Sequence, residues 1–92
     1  MKILLATACG GKKNKGRMAA IDLYKSSRIK AVYNRRGDAD FAVLSAKYGL
    51  IRPDKILKDY EQVLDSKGAK KILPQLIDFI RPYDLVIFFK GG

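Results

Sequence analysis

From Cys9 the chain reads Cys9-Gly10-Gly11-Lys12-Lys13-Asn14-Lys15-Gly16-Arg17, a run in which two adjacent glycines precede four closely spaced cations. Consecutive glycines let backbone N–H groups converge on an anion, and neighbouring cations neutralise it, so this is a candidate phosphate-holding loop. Gly11 to Met18 approaches the phosphate-loop spacing G-x-x-x-x-G-K-[ST], with Arg17 in the place of the lysine. Met18 stands where a hydroxyl would hold Mg²⁺, and no strand ends in a metal-binding Asp, so ATP hydrolysis is not expected. Cys9 at the mouth of the loop is a candidate thiolate nucleophile, because adjacent lysines and a following helix N-terminus would lower its pKa. The chain contains no histidine, so no Cys-His or Ser-His pair exists. The same inventory leaves zinc without ligands, and no cofactor is expected. A small, half-buried residue at a strand end is the alternative reading of Cys9.

Two further segments carry polar groups beside apolar anchors. In Asp22-Leu23-Tyr24 the carboxylate is a candidate general base or sugar-hydroxyl ligand. In Ser45-Ala46-Lys47-Tyr48-Gly49-Leu50 a hydroxyl, a cation and an aromatic ring follow one another. Tyr24 and Tyr48 offer flat faces on which a base could stack, worth about 1–3 kcal/mol each in single-strand binders. Amphipathic tyrosines at the margin of a core are the competing explanation.

These groups need a scaffold, and 92 residues supply one hydrophobic core. The chain is read as a single α/β domain over residues 1–92, a minimal or truncated member of a longer type. Nearly half the residues (48%) are hydrophobic and 30% charged, the balance of a folded globular protein rather than a disordered one. Lys plus Arg number 19 against 9 Asp plus Glu, a net charge of +10, of which +7 falls in residues 1–46 and +3 in residues 47–92. A field of that sign favours polyanions, although a cationic surface also serves solubility alone. With one cysteine no intrachain disulfide forms, so a cytoplasmic location is expected. The apolar stretch Ile3–Ala8 is too short for a leader peptide and is read as a strand, and no run approaches the ~20 residues of a membrane span.

Lys2–Ala8, Phe41–Ala46 and Asp84–Phe89 are apolar runs without polar alternation, as expected of strands covered on both faces. Between them, Met18–Tyr24 suits a short helix. Ser26 or Ser27 caps a second helix bearing Ile29, Val32 and Tyr33, with Gly37 at its C-terminal end. The spacing of Ile56, Tyr60, Val63 and Leu64 is helical. Ser66 opens a helix bearing Ile72, Leu73, Leu76, Ile77 and Ile80, which Pro74 should kink or restart. The order β-α-β-α-β with long connections predicts a small three-stranded parallel sheet flanked by helices, in order 2-1-3, a Rossmann-like or flavodoxin-like half. Ligands of such sheets sit beyond the carboxyl ends of the strands, which brings Cys9–Arg17, Ser45–Tyr48 and Lys90–Gly92 to one rim.

Asp22-Leu23-Tyr24-Lys25-Ser26, followed by Val43-Leu44-Ser45-Ala46-Lys47-Tyr48-Gly49-Leu50-Ile51-Arg52-Pro53-Asp54 and then Ile56 and Tyr60, resembles the peroxide-stress YaaA-like family. The chain is closer still to a small related domain of unknown function found in prokaryotic and phage proteins, whose N-terminal Cys-Ser/Gly-x-Lys-Lys signature corresponds to Cys9-Gly10-Gly11-Lys12-Lys13. The resemblance spans residues 3–64. It implies an α/β domain with a nucleotide or nucleic-acid site lined by Cys9, Lys13, Asp22, Tyr24, Ser45, Lys47, Tyr48 and Gly49. YaaA-like proteins are associated with DNA binding and protection from peroxide, and related domains with base modification; this chain is much shorter, ending at Gly92.

The expectation is therefore a module that binds nucleic acid or a nucleotide, its phosphate held by Gly10, Gly11, Lys12, Lys13, Lys15 and Arg17, with Tyr24, Lys47, Tyr48 and Gly49 completing the site. Two alternatives stay open. One is an enzyme acting on a nucleoside or nucleic-acid base through Asp22, Ser45 and Cys9. The other is a structural or subunit-interaction domain whose third strand lies at a sheet edge.

Overall fold

The computed structural model describes residues 1–9, 13–59 and 66–89. In chain order the elements are β1 (Ile3–Ala8), β2 (Arg17–Ala19), α1 (Ala20–Leu23), α2 (Ser27–Asn34), β3 (Asp40–Ser45), β4 (Gly49–Ile51), β5 (Ile56–Lys58), α3 (Ser66–Ile80) and β6 (Leu85–Phe89). The three apolar runs form β1, β3 and β6, and the class is α/β. Strand β1 lies between the other two and pairs parallel with both, Ala6 aligning with Ala42 on one side and Phe88 on the other.

The sheet nevertheless differs from the expected three parallel strands. It has four strands in the order β4-β3-β1-β6 and is mixed, because β4 returns antiparallel along β3 with Leu44 opposite Leu50. The cause is local. The Ser45 hydroxyl oxygen accepts hydrogen bonds from the backbone N–H groups of Lys47 and Tyr48, each at 3.2 Å, and Gly49 adopts φ +81°, so the chain reverses within three residues. A second correction concerns residues 17–19 and 56–58. Met18 and Ala19 were expected in a short helix, Arg17 in the loop before it and Ile56 at the start of a helical spacing, but the two segments pair antiparallel as β2 and β5, a separate two-stranded sheet. Helix α1 is consequently limited to Ala20–Leu23. The other positions of the helical spacing that began at Ile56, namely Tyr60, Val63 and Leu64, fall outside the described residues.

Two helices match the sequence signals more closely. The Ser26 hydroxyl accepts from the Ile29 N–H at 3.3 Å and caps α2, and Gly37 turns the chain at φ +60° two residues beyond the C-cap Arg35. Helix α3 runs from Ser66 to Ile80 with Pro74 inside it. Alternation along β1 sends side chains to two layers. Leu5 and Cys9 pack with Leu23, Tyr24, Ile29, Phe41, Val43 and Leu57. Leu4 and Ala6, with Ala42 and Leu50, form the other layer, against which Leu76 and Phe79 of α3 pack. Tyr33 of α2 meets Phe41 edge to face at 5.3 Å, which fixes α2 against β3. Among the described residues no helix is long and apolar enough to cross a membrane.

Candidate functional site

Parallel pairing of β1 with β3 brings their carboxyl ends side by side: Ala8 aligns with Leu44, so the chain leaves β1 at Cys9 beside Ser45. Gly10, Gly11 and Lys12, the core of the expected anion cradle, lie outside the described residues, as do Lys90, Gly91 and Gly92 after β6. Residues 13–17 show how the loop continues. Lys13 forms an isolated antiparallel bridge with Tyr24, the Asn14 N–H donates to the Leu23 carbonyl at 2.7 Å, and the Asn14 side-chain amide donates to the Asp22 carbonyl at 2.7 Å. Two residues on, the Gly16 N–H donates to the Asp59 carboxylate at 3.2 Å while the Asp59 N–H donates to the Gly16 carbonyl at 3.0 Å. Gly16 sits at φ +108°, a conformation that favours glycine. The loop is thus fastened at two places, to the end of α1 and to the end of β5.

Residues 13–17 do not lead directly into a helix as the phosphate-loop reading expected: Arg17 and Met18 enter strand β2, and among the described residues the helix that follows is the single turn Ala20–Leu23. Cys9 is half-buried against the Tyr24 layer, as the packing alternative held. Tyr24 is also not what the sequence suggested. It is fully buried, and the Lys13 ammonium lies 5.8 Å from its ring centroid, so its face is unavailable to a base in this conformation. The amphipathic-edge signal read as a stacking platform belongs instead to a core residue.

Asp22 is exposed on α1. Ser45 is fully buried, its oxygen engaged by the turn it shapes. Lys47 and Tyr48 project from that turn, Tyr48 37% exposed with the Lys47 ammonium 5.3 Å from its ring. Gly49 is buried, and a Cβ added there would drive into the Gln75 amide, so this glycine serves close packing rather than ligand contact. Lys15 and Arg17 are exposed.

Two features escaped the sequence reading. Lys58 aligns with Arg17 across the β2–β5 pair, and both are exposed. Like charges directly opposite in an antiparallel pair oppose its formation, by roughly 0.2–1 kcal/mol. Among the described residues Lys15, Arg17 and Lys58 have no ion pair. The other is Thr7, 1% exposed, whose hydroxyl has no hydrogen-bond partner among the described residues and which shares the face of β1 that carries Leu5. It is the only hydroxyl in the run Ile3–Ala8, which was the available signal. Lys58 gave none, because a three-residue strand has no readable period.

The model of a family of unknown function (DUF6884) matches residues 3–77, and the chain belongs to that family. No curated protein and no solved structure matches it.

Proposed function

We propose that this member of the DUF6884 family binds the phosphate groups of a nucleic acid or nucleotide on the surface where Arg17 and Lys58 lie opposite each other, with exposed Lys15 two residues before Arg17 and with Lys47 and Tyr48 after β3 as further contacts. The observation that carries the reading is the alignment of Arg17 with Lys58. Two exposed cations are held opposite each other by backbone pairing, with no ion pair to either among the described residues and the neighbouring Asp59 carboxylate engaged by the Gly16 N–H, and a phosphate would turn that repulsion into attraction. The net charge of +10 steers polyanions toward this surface. The Lys47-Tyr48 contact follows the carboxyl end of β3, where sheets with parallel strands take their ligands, and the resemblance to YaaA-like proteins supports a nucleotide or nucleic-acid ligand. Tyr48 is the partly exposed ring on which a base could stack, with the Lys47 ammonium already over it, and Tyr24 is buried in the core.

The packing favours holding over catalysis. Ser45 spends its oxygen on two backbone donors, and Cys9 is packed against the core layer.

Fluorescence anisotropy with labelled single-stranded and duplex oligonucleotides, titrated at several salt concentrations, tests the proposal. Binding should weaken steeply with salt. Arg17→Ala/Lys58→Ala should flatten the log–log slope by about 0.7 per lost contact on single strands and about 0.9 on duplex. The same variant should melt no lower than wild type in anion-free buffer, because it removes a repulsion. Absence of binding at low salt, or an unchanged slope in the variant, refutes the reading.

A further inference from the structure

A cleft of about 820 Å³ lies between the β4–β5 segment and α3, large enough for a small organic molecule. Buried Leu50, Ile51 and Leu57 line its depth, and Tyr48, Ile56 and Phe79 add further apolar surface. Ile56 is 55% exposed, so the cleft presents a large aliphatic side chain to solvent. Exposed Arg52 holds its guanidinium 5.2 Å from the Phe79 ring centroid and also reaches the Tyr83 hydroxyl. Asp54 and Lys55, on the same lining, are exposed and have no ion pair among the described residues. Their segment is tied to α1: the Ile21 N–H donates to the Pro53 carbonyl at 3.0 Å and the Ala20 N–H to the Lys55 carbonyl at 2.8 Å. Ile56 also connects the cleft to the paired cations. Along β5, Leu57 is buried while Ile56 and Lys58 are exposed on the opposite face, and two residues of strand span roughly 6.6 Å.

We propose that this cleft takes an unpaired nucleobase, attached to the phosphate that Arg17 and Lys58 hold. The inference rests on the phosphate reading above and names its ligand class: a nucleotide or a single strand, with duplex kept out of the cleft. One sugar carries both the base and its phosphate, so the two subsites must be close neighbours, and the short run from Ile56 to Lys58 meets that demand. The faces of a base are flat and stack on aromatic rings, apolar side chains or guanidinium planes, while its edge sets donors beside acceptors. The cleft supplies a partner for each. Tyr48, Ile56 and the Arg52–Phe79 pair suit the faces, and the Lys55 ammonium next to the Asp54 carboxylate suits the edge. In a duplex the faces are covered by neighbouring bases and the pairing edge by the opposite strand, so neither is open to these side chains. The bonds from Ala20 and Ile21 hold the 53–55 segment in place without a ligand, as expected of a preformed site.

Fluorescence anisotropy at low salt should compare three labelled probes: an oligothymidylate, an abasic strand with the same number of phosphates, and a duplex of the same length. The intact strand should bind about fivefold or more tightly than the abasic one, the gain expected from one stacked base. Tyr48→Ala/Ile56→Ala, which alters two exposed side chains, should remove that gain and leave binding of the abasic strand and the duplex unchanged. Arg17→Ala/Lys58→Ala should instead weaken all three. A second measurement needs no substitution. In amide nitrogen–proton spectra of the wild-type chain, uridine monophosphate and ribose 5-phosphate should both shift Arg17 and Lys58, and the nucleotide alone should also shift residues 52–57. Equal affinity for the intact and abasic strands, equal loss of single-strand and duplex binding in Tyr48→Ala/Ile56→Ala, or unshifted residues 52–57 with the nucleotide overturns the base site and leaves the phosphate reading standing. Failure of all three probes to bind at low salt refutes the phosphate reading, and the base site falls with it.

Discussion

The two edges of the sheet solve the same problem in opposite ways. At β4, the backbone N–H and carbonyl of Leu50 point away from β3 and both are taken by one side chain. The Gln75 carbonyl accepts from the N–H at 2.9 Å and its amide donates to the carbonyl at 2.7 Å, so Gln75 of α3 imitates a neighbouring strand. All three residues of β4 are buried. At β6 no such cover exists among the described residues, and four large apolar side chains stand open. One edge is finished by the chain's own helix, and the other is left in the form a partner strand can use. A sheet edge is thus controlled by whether its outward backbone groups are satisfied, and one correctly aimed amide is enough for a three-residue strand.

Substitution at Gly49 breaks the closed edge most severely. Gly49→Val combines a left-handed backbone position, costing about 1–3 kcal/mol, with displacement of Gln75, which leaves the Leu50 backbone groups unpaired at a further ~1–3 kcal/mol; denaturant unfolding should show a loss of about 2–6 kcal/mol. Gln75→Leu keeps the backbone unstrained but removes both hydrogen bonds to Leu50, and should cost about 1–3 kcal/mol. It should also leave the outward backbone groups of β4 unpaired, so light scattering should detect more association than in wild type.

The smallest effect concerns the packing beneath β6. The Tyr83 hydroxyl donates to the Asp40 carboxylate at 2.6 Å. Burial first, then this bond, raise the Tyr83 pKa above its ordinary 10.0, while the Arg52 guanidinium opposes the rise. A folded pKa above the unfolded one means the folded state holds the proton more tightly. The contribution is therefore complete below pH 10 and is lost as pH climbs through the raised value. Tyr83→Phe should cost about 1 kcal/mol at neutral pH and flatten the decline of stability above pH 10.

How much of this was legible in the sequence follows from range. The runs that became β1 and β3 announced themselves because burial on both faces demands unbroken apolar residues, β6 carries the same unbroken pattern although four of its five residues are exposed, and Ser26 announced α2 because its hydroxyl acts three residues away. β2, β4 and β5 have three residues each, too few to show alternation, and their identity depends on partners distant in the chain. Ile56 looked helical because its spacing to later apolar residues fitted a helix, yet its backbone is committed to Ala19. Within the site, Ser45 and the Lys47-Tyr48 turn were found at the rim where the sheet rule put them. Tyr24 was misread because an aromatic beside an aspartate looks the same whether its ring faces water or the core. The Gln75–Leu50 contact spans 25 residues and leaves no local trace.

The reciprocal bonds between Gly16 and Asp59 carry one more consequence. Asp59, at the end of β5, holds Gly16 through both its carboxylate and its backbone N–H, so residues 13–17 are tied to a distant strand without an anion. On the proposed function, a phosphate landing on Arg17 and Lys58 would not wait for this segment to order, and capture would be set by the rate of charged encounter and slow as ions shorten the reach of the field.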